Sequence, residues 1–211
     1  MGRMFFTADW HFGDERMELL GRPWLNAKEA QDQILKNIFD LKLTKDDVLY
    51  VIGDAALDEE WLKPVQLIDA QKVLIKGNYD RLDNETYLKY FQTVSDGFQM
   101  CAVRDPSGKA EPLDLNFVHY PGKGIHSAFN LVGHIHGAWK VQKNMLNVGI
   151  DQHWARPIPL EKVFFYHTAV SKFYDQDVWV GDHPANVAHA SRGQAGTYWE
   201  RQYGGSNEAV K

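Results

Sequence analysis

Two histidines one residue apart, His134 and His136, sit directly behind a glycine in the stretch LVGHIHGAW. If its apolar lead-in is a strand, positions i and i+2 face the same way, so both imidazoles can meet one small object. Taken alone, such a pair reads equally well as two surface histidines in a turn. The chain supplies more of the same. Asp9-Trp10-His11 follows MFFTA, Gly53-Asp54 follows VLYVI, Gly77-Asn78-Tyr79-Asp80 follows KVLIK, and His119 follows LNFV. Five apolar segments thus end in Asp9, Asp54, Asn78 and four histidines, a set that turns alone hardly explain. Oxygen and nitrogen ligands without a thiolate suit divalent ions of the Mn, Fe or Zn kind rather than a structural zinc. Seven ligands exceed one tetrahedral ion, so two ions are expected. Two such ions about 3.5–4 Å apart clamp a phosphoryl group and hold a hydroxide for in-line attack. Their charge, less two aspartates and one hydroxide, leaves roughly one positive charge for an anionic substrate.

Positioning these ligands needs strands that end together. Residues 4–8, 48–52 and 72–76 are short, continuously apolar runs of the kind found in buried parallel strands. Between the first two, residues 27–40 place Ala27, Ala30, Ile34, Leu35 and Ile38 on one helical face, with Asn26 and Glu29 spaced as a capping box. Residues 58–70, with Trp61, Leu62, Val65 and Ile68, form a second amphipathic segment. Strand–helix–strand alternation predicts a parallel sheet covered by helices. Beyond residue 93, FQMCAVR and LDLNFVH flank the turn-rich DPSGKAEP as a hairpin, and NLVG, AWKVQ, MLNVG and KVFFYH read as further strands. The expected architecture is α/β: two packed sheets with helices outside, over residues 1–170. Ligands in such sheets gather at the carboxyl ends of the strands. Residues 171–211 lose this periodicity; Trp179, Tyr198, Trp199 and Tyr203 predict an extension packed on the domain with a frayed end.

Composition narrows the partners. The chain has 211 residues, 44% hydrophobic and 24% charged, as in an ordinary globular domain. No apolar run of about 18 residues is present to span a membrane. The opening MGRMFFTADWHF lacks the apolar stretch and cleavage site of a leader, and Cys101 is the sole cysteine, so a cytoplasmic location is expected. A net charge of −5 argues against strong non-specific binding of nucleic acid. Oligomeric state is left open.

The ordered series D-x-H, G-D, G-N-x-D, H and G-H-x-H resembles the calcineurin-like metallophosphoesterases, over residues 4–168. HYP at 119–121 and NVGID at 147–151 add to the likeness, and GRPW at 21–24 is similar to compact bacterial and phage members. The resemblance implies a two-sheet β-sandwich flanked by helices. It implies that Asp9, His11, Asp54 and His136 bind one metal and that Asp54, Asn78, His119 and His134 bind the other, with Asp54 bridging. It further implies Mn2+, with Fe, Zn or Ni as alternatives, and hydrolysis of a phosphoester. One position departs from the pattern: Tyr79 stands where most members carry a histidine that contacts the phosphate and helps the leaving group, with Asp80 as its usual partner. Asn78, Tyr79 and Asp80 are therefore the catalytic candidates beside the ions.

Arg16, Arg22 and His126 are the remaining substrate-binding candidates, the arginines because a loop behind the first motif can reach a phosphate. Trp10 and Trp24 are candidates for stacking on a base, with core packing the commoner fate. No long insertion separates the motifs, so a phosphodiesterase acting on small nucleotides or short nucleic acids is favoured. A phosphomonoesterase and a non-catalytic protein-binding scaffold are the alternatives.

Overall fold

A computed structural model describes residues 2–173; the tail from residue 174, with the aromatic residues expected to dock it, lies outside the described residues. The apolar runs form two five-stranded sheets with few helices around them. The first contains β1 (Met4–Thr7), β2 (Val48–Ile52), β3 (Gln71–Ile75), β4 (Thr93–Ser95) and β10 (Ile158–Pro159), in the order β10-β1-β2-β3-β4. β1 to β4 are parallel and β10 is antiparallel to β1. The second contains β5 (Phe98–Val103), β6 (Leu113–Val118), β7 (Phe129–Val132), β8 (Val141–Gln142) and β9 (Met145–Asn147), in the order β5-β6-β7-β9-β8. β5 and β6 make the expected hairpin, and β6, β7 and β9 run parallel to one another.

Strand alternation sorts the first sheet into two apolar layers. Phe6, Tyr50, Ile52, Val73 and Ile75 pack with Leu115, Phe117, Phe129, Leu131 and Leu146 of the second sheet. On the opposite face, Phe5, Leu49, Val51 and Leu74 pack under α1 (Ala27–Phe39), through Ile34, Leu35 and Ile38. The Asn26 side chain accepts from the Glu29 amide, and the Glu29 carboxylate accepts from the Leu25 amide. The expected second helix is shorter than its pattern. α2 ends at Leu62 (Glu59–Leu62) and tightens into a 3₁₀ turn over Lys63–Leu67, because Pro64 brings no N–H to an α-helical ladder. A further short helix, α3 (Asn84–Tyr87), precedes β4.

One expected strand is a helix. KVFFYH lies inside α4 (Leu160–Phe173). Leu160, Val163 and Phe164, at i, i+3 and i+4, are buried in the inter-sheet layer, whereas Phe165 is exposed. A strand would have put Val163 and Phe165 on one face; the helix separates them.

The two sheets meet where their parallel strands end. Ala8 and Gly149 form a parallel bridge, and the Ile150 amide donates to the Ala8 carbonyl at 3.1 Å. All the expected ligands lie at this edge.

Candidate metal centre

Five of the seven expected ligands leave their strands by a sharp turn. Asp9, His11, Asp54, His134 and His136 all have positive φ, between 48° and 74°. Non-glycine residues adopt this conformation rarely and at a cost, and such strain concentrates at functional sites. The turns aim the side chains at one another. Asp54, His119 and His134 offer ligand atoms within 4.8 Å of one another, as do Asp9, His11 and Asp54. The two groups share Asp54. Its Oδ2 lies 3.3 Å from His11 Nε2 and 3.2 Å from His119 Nε2. The Asn78 Oδ1 sits 3.1 Å from His119 Nε2 and 2.9 Å from His134 Nδ1. His136 joins beside His11, with ring centroids 5.0 Å apart. Glycines make the room: a Cβ on Gly149 would lie 2.5 Å from Asp9 Oδ2, and one on Gly53 or Gly77 would collide with His119 or Asp54.

A divalent cation fits the unmet demands of this cluster. Asp9 and His11 are buried, yet Asp9 Oδ2 and both His11 ring nitrogens have no hydrogen-bond partner. Buried polar atoms are almost always satisfied, so a carboxylate oxygen and an imidazole left bare beside a second carboxylate call for a positive ion. Asp9, His11, Asp54 and His119 form the buried floor, while His134 is exposed and Asn78 half-buried, which leaves the mouth open on that side.

A second layer fixes the ligands' orientation. The His119 Nδ1–H donates to the Ile52 carbonyl at 2.9 Å, turning Nε2 inward. Asp14 Oδ2 stands 3.3 Å from His11 Nδ1 without a hydrogen bond, and the His136 Nδ1 bonds to Asp151 Oδ2 at 2.7 Å. Such carboxylate partners set the tautomer of ligating histidines. Asn147, fully buried, donates to the carbonyls of His136 and Trp139 and so shapes the loop carrying both histidines. Sequence reasoning assigned no role to Asp14, Asn147 or Asp151. The first stands three residues after His11, and the others lie within NVGID.

Four candidate residues are placed elsewhere or do something else. Arg22 is buried; Nε and Nη2 hold Asp151, Nη1 donates to the Trp10 carbonyl and Nη2 also to that of Asp9. Its guanidinium is tied to the protein rather than presented to a phosphate. Asp80 is buried and accepts from the amides of Asp54, Ala55 and Gly77 at 2.7–2.9 Å. It clamps the two ligand loops together and does not face the Tyr79 ring. His126 lines a cavity with Gly124, Phe129 and Met145, at the opening ends of β7 and β9. A four-residue strand separates that cavity from His134 and His136, which follow the closing end of β7. Trp10 is core, stacked on Phe12 with its Nε1–H on Thr7 Oγ1.

Arg16 and Tyr79 do stand at the mouth. The Tyr79 amide donates to Asp54 Oδ1 at 2.8 Å, its ring meets the His11 ring edge-on at 4.8 Å, and Arg16 Nη2 donates to its hydroxyl at 2.8 Å. Arg16 also grips both oxygens of Asp14, whose carboxyl is held down at about 2 mainly by that hydrogen bond.

Burial pushes the Asp9 carboxyl up. Burial disfavours the His119 imidazolium too, but the Asp54 and Asp9 carboxylates outweigh it and raise that group to about 9. His153 is the opposite case. Burial lowers it from 6.5 to about 4, although its Nε2–H donates to the Asn147 carbonyl at 2.8 Å. Between these values the unfolded chain binds a proton that the folded chain refuses. Its contribution is therefore complete above pH 6.5 and is lost as pH falls towards about 4. The loss amounts to about 3 kcal/mol at 1.36 kcal/mol per pH unit. His153→Gln should flatten this part of the stability–pH curve; parallel denaturation curves for the two proteins between pH 7 and 4 would rule the assignment out.

No protein-family model matches the chain, and no curated protein does. Among solved structures, a nuclease, MPE, from Pseudomonas putida aligns with a TM-score of 0.39 at 22% identity over 63% of this chain and 61% of that one, a likeness too slight to carry an argument. A protein of unknown function from Aquifex aeolicus is similar with a TM-score of 0.61 at 22% identity, over 78% of this chain and 99% of that one, and what the two share is the fold.

Proposed function

We propose that this protein is a dimetal phosphodiesterase of the calcineurin-like metallophosphoesterase type. The observation that carries the reading is the pair of ligand groups sharing Asp54, with buried, unpartnered atoms on Asp9 and His11. Asp9, His11, Asp54 and His136 would hold one ion and Asp54, Asn78, His119 and His134 the other. Bound there, two divalent cations would supply a hydroxide nucleophile and neutralise the phosphoryl oxygens.

The protein's own groups favour a diester. Two dications set against Asp9, Asp54 and one hydroxide leave about one positive charge, matched to the single charge of a phosphodiester. Further cations are committed: Arg22 to Asp151 and Arg16 to Asp14. A monoester would bring a second negative charge that this one positive charge does not match. Tyr79, its hydroxyl held by Arg16 and its ring 4.8 Å from that of His11, stands where a histidine would otherwise protonate a leaving alkoxide, and a phenol is by nature a weaker acid than an imidazolium. General-acid help is worth about 10²–10⁴-fold, so esters with acidic leaving groups should react far better than alkyl esters.

The test is hydrolysis of bis(p-nitrophenyl) phosphate and p-nitrophenyl phosphate by chelator-treated protein resupplied with Mn2+, Fe2+, Zn2+ or Ni2+. Metal-dependent turnover with the diester preferred is the expected result. Preference for the monoester would make the protein a phosphatase, and no turnover with any of the four ions would leave a binding scaffold.

A further inference from the structure

Trp154 is 89% exposed, the most exposed large apolar side chain among the described residues. Its backbone does not place it there cheaply. Trp154 and Ala155 both have positive φ, 55° and 57°, an outlying conformation for a residue as bulky as tryptophan. The strain is held from behind. The buried Asn37 of α1 donates from Nδ2 to the carbonyls of both residues, at 3.2 and 3.0 Å, and Gln33 in turn donates to Asn37 Oδ1. The Ala155 amide is fixed on the Ile150 carbonyl at 3.0 Å. A buried amide, two left-handed residues and a pinned loop thus present an aromatic face to solvent. Backbone strain kept in this way points to a function for what it presents.

Trp154 lines a cavity of about 650 Å³, together with Pro23, Trp24, Gly137, Asp151 and Arg156. That volume lies in the range of small-molecule sites. The cavity adjoins the metal centre through residues already in use there. Asp151 is the hydrogen-bond partner of His136 Nδ1, and Gly137 follows His136. The ligand chemistry has three parts: two indoles for a flat aromatic ring, an exposed cation in Arg156, and a phosphoester centre one residue beyond the cavity wall.

We infer that this cavity is a base subsite: it takes the purine or pyrimidine ring of a nucleotidyl ester whose phosphate lies on the metal centre, with Trp154 as the stacking face. The phosphate end of the inference rests on the phosphoesterase reading; the base end rests on Trp154, Trp24 and the cavity alone. Stacking on an aromatic side chain tolerates every base, so the subsite selects nucleotides over other esters without selecting among sequences.

The experiment titrates the Mn2+-loaded full-length protein with adenosine 5′-monophosphate and with ribose 5-phosphate, following tryptophan fluorescence and metal content. The nucleotide should quench fluorescence and bind about tenfold more tightly than the sugar phosphate. Trp154→Ala should bring the two affinities within about twofold while metal content and melting temperature hold, and Trp154→Phe should retain most of the preference. Equal affinities in the unmodified protein overturn the subsite, as does a preference that survives Trp154→Ala. A Trp154→Ala variant that changes sedimentation instead of nucleotide affinity assigns the exposed ring to contact with a second copy, and also overturns it. Turnover of bis(p-nitrophenyl) phosphate, measured alongside, separates the two readings. Metal-dependent turnover without a nucleotide preference removes the subsite alone, whereas a Trp154-dependent preference without turnover keeps the subsite and removes the hydrolase.

Discussion

Asp54→Asn is expected to empty both metal positions together and abolish hydrolysis. Asp54 is the residue common to the two ligand groups, and its Oδ2 stands between His11 Nε2 and His119 Nε2 at 3.3 and 3.2 Å. The substitution preserves shape, and an amide oxygen can still accept from the Tyr79 amide as Oδ1 does now. What goes is the negative charge that two cations would share. Loss of a partner beyond the ligands themselves costs about 10–100-fold in metal affinity, so loss of a shared ligand should cost at least that at each position. The product of the two affinities then falls by roughly 10²–10⁴-fold or more. His136→Ala is the control, since the proposal assigns His136 to one ion only and the other should stay in place. Elemental analysis should find two ions per chain before substitution, one in His136→Ala and almost none in Asp54→Asn. A single ion in the unmodified protein, or an Asp54→Asn variant with one ion retained, would sink the shared-ligand assignment.

The second large effect concerns a residue that contacts no ligand atom. Arg22→Ala should destabilise the fold and loosen one metal position. The guanidinium pairs with Asp151 through two nitrogens, at 2.9 and 3.1 Å, and also ties down the backbone carbonyls of Asp9 and Trp10. Asp151 is itself nearly enclosed and holds His136. Burial would drive its carboxyl up, but His136 and Arg22 hold it below the ordinary range. Removing one partner of a buried pair leaves the other charge stranded, at a cost of about 3–5 kcal/mol. For a domain of this size that is a fall of roughly 10 °C in melting temperature. The orientation of His136 should suffer with it, weakening one ion by about 10–100-fold while the second stays bound. Arg22→Lys should recover little, because a lysine ammonium cannot make the two-pronged contact and reach the loop carbonyls as well. Calorimetry and metal titration of both variants provide the check. Unchanged stability and metal affinity with a raised KM would return Arg22 to the phosphate-binding role that its place in the loop suggested.

Much of the clustering at the candidate site was legible in the chain because its information is local. An apolar run followed by Gly-Asp, Asp-x-His or His-x-His encodes both a strand and what the strand delivers, within about ten residues. Parallel strands then bring their ends to one edge without further instruction. The same locality explains α1, whose face and cap are written in 14 consecutive residues, Asn26 to Phe39. The glycines next to the ligands were visible as punctuation, though only the packed structure shows that a Cβ at Gly149 would press on Asp9.

Only the tertiary structure decided what distant residues do to one another. Arg22 and Asp151 are 129 positions apart, and nothing near Arg22 in the sequence says that its charge is already matched. Asp80 was a catalytic candidate because the resemblance makes it the partner of a histidine at position 79; here folding brings the Asp54 and Ala55 amides onto it and makes it a clamp. His126 precedes its strand and therefore lies at the far end from residues that follow it, a distinction that proximity in sequence conceals. KVFFYH is apolar enough for either element, and the surface it must cover made it a helix. Asn37 sits on a helix and Trp154 in a turn 117 positions away, and only the fold brings them into the hydrogen bond that lies behind the exposed indole. Ligand identity is a property of short segments; charge pairing, burial and exposure belong to the assembled sheets, because each depends on which groups share the same few ångströms of space.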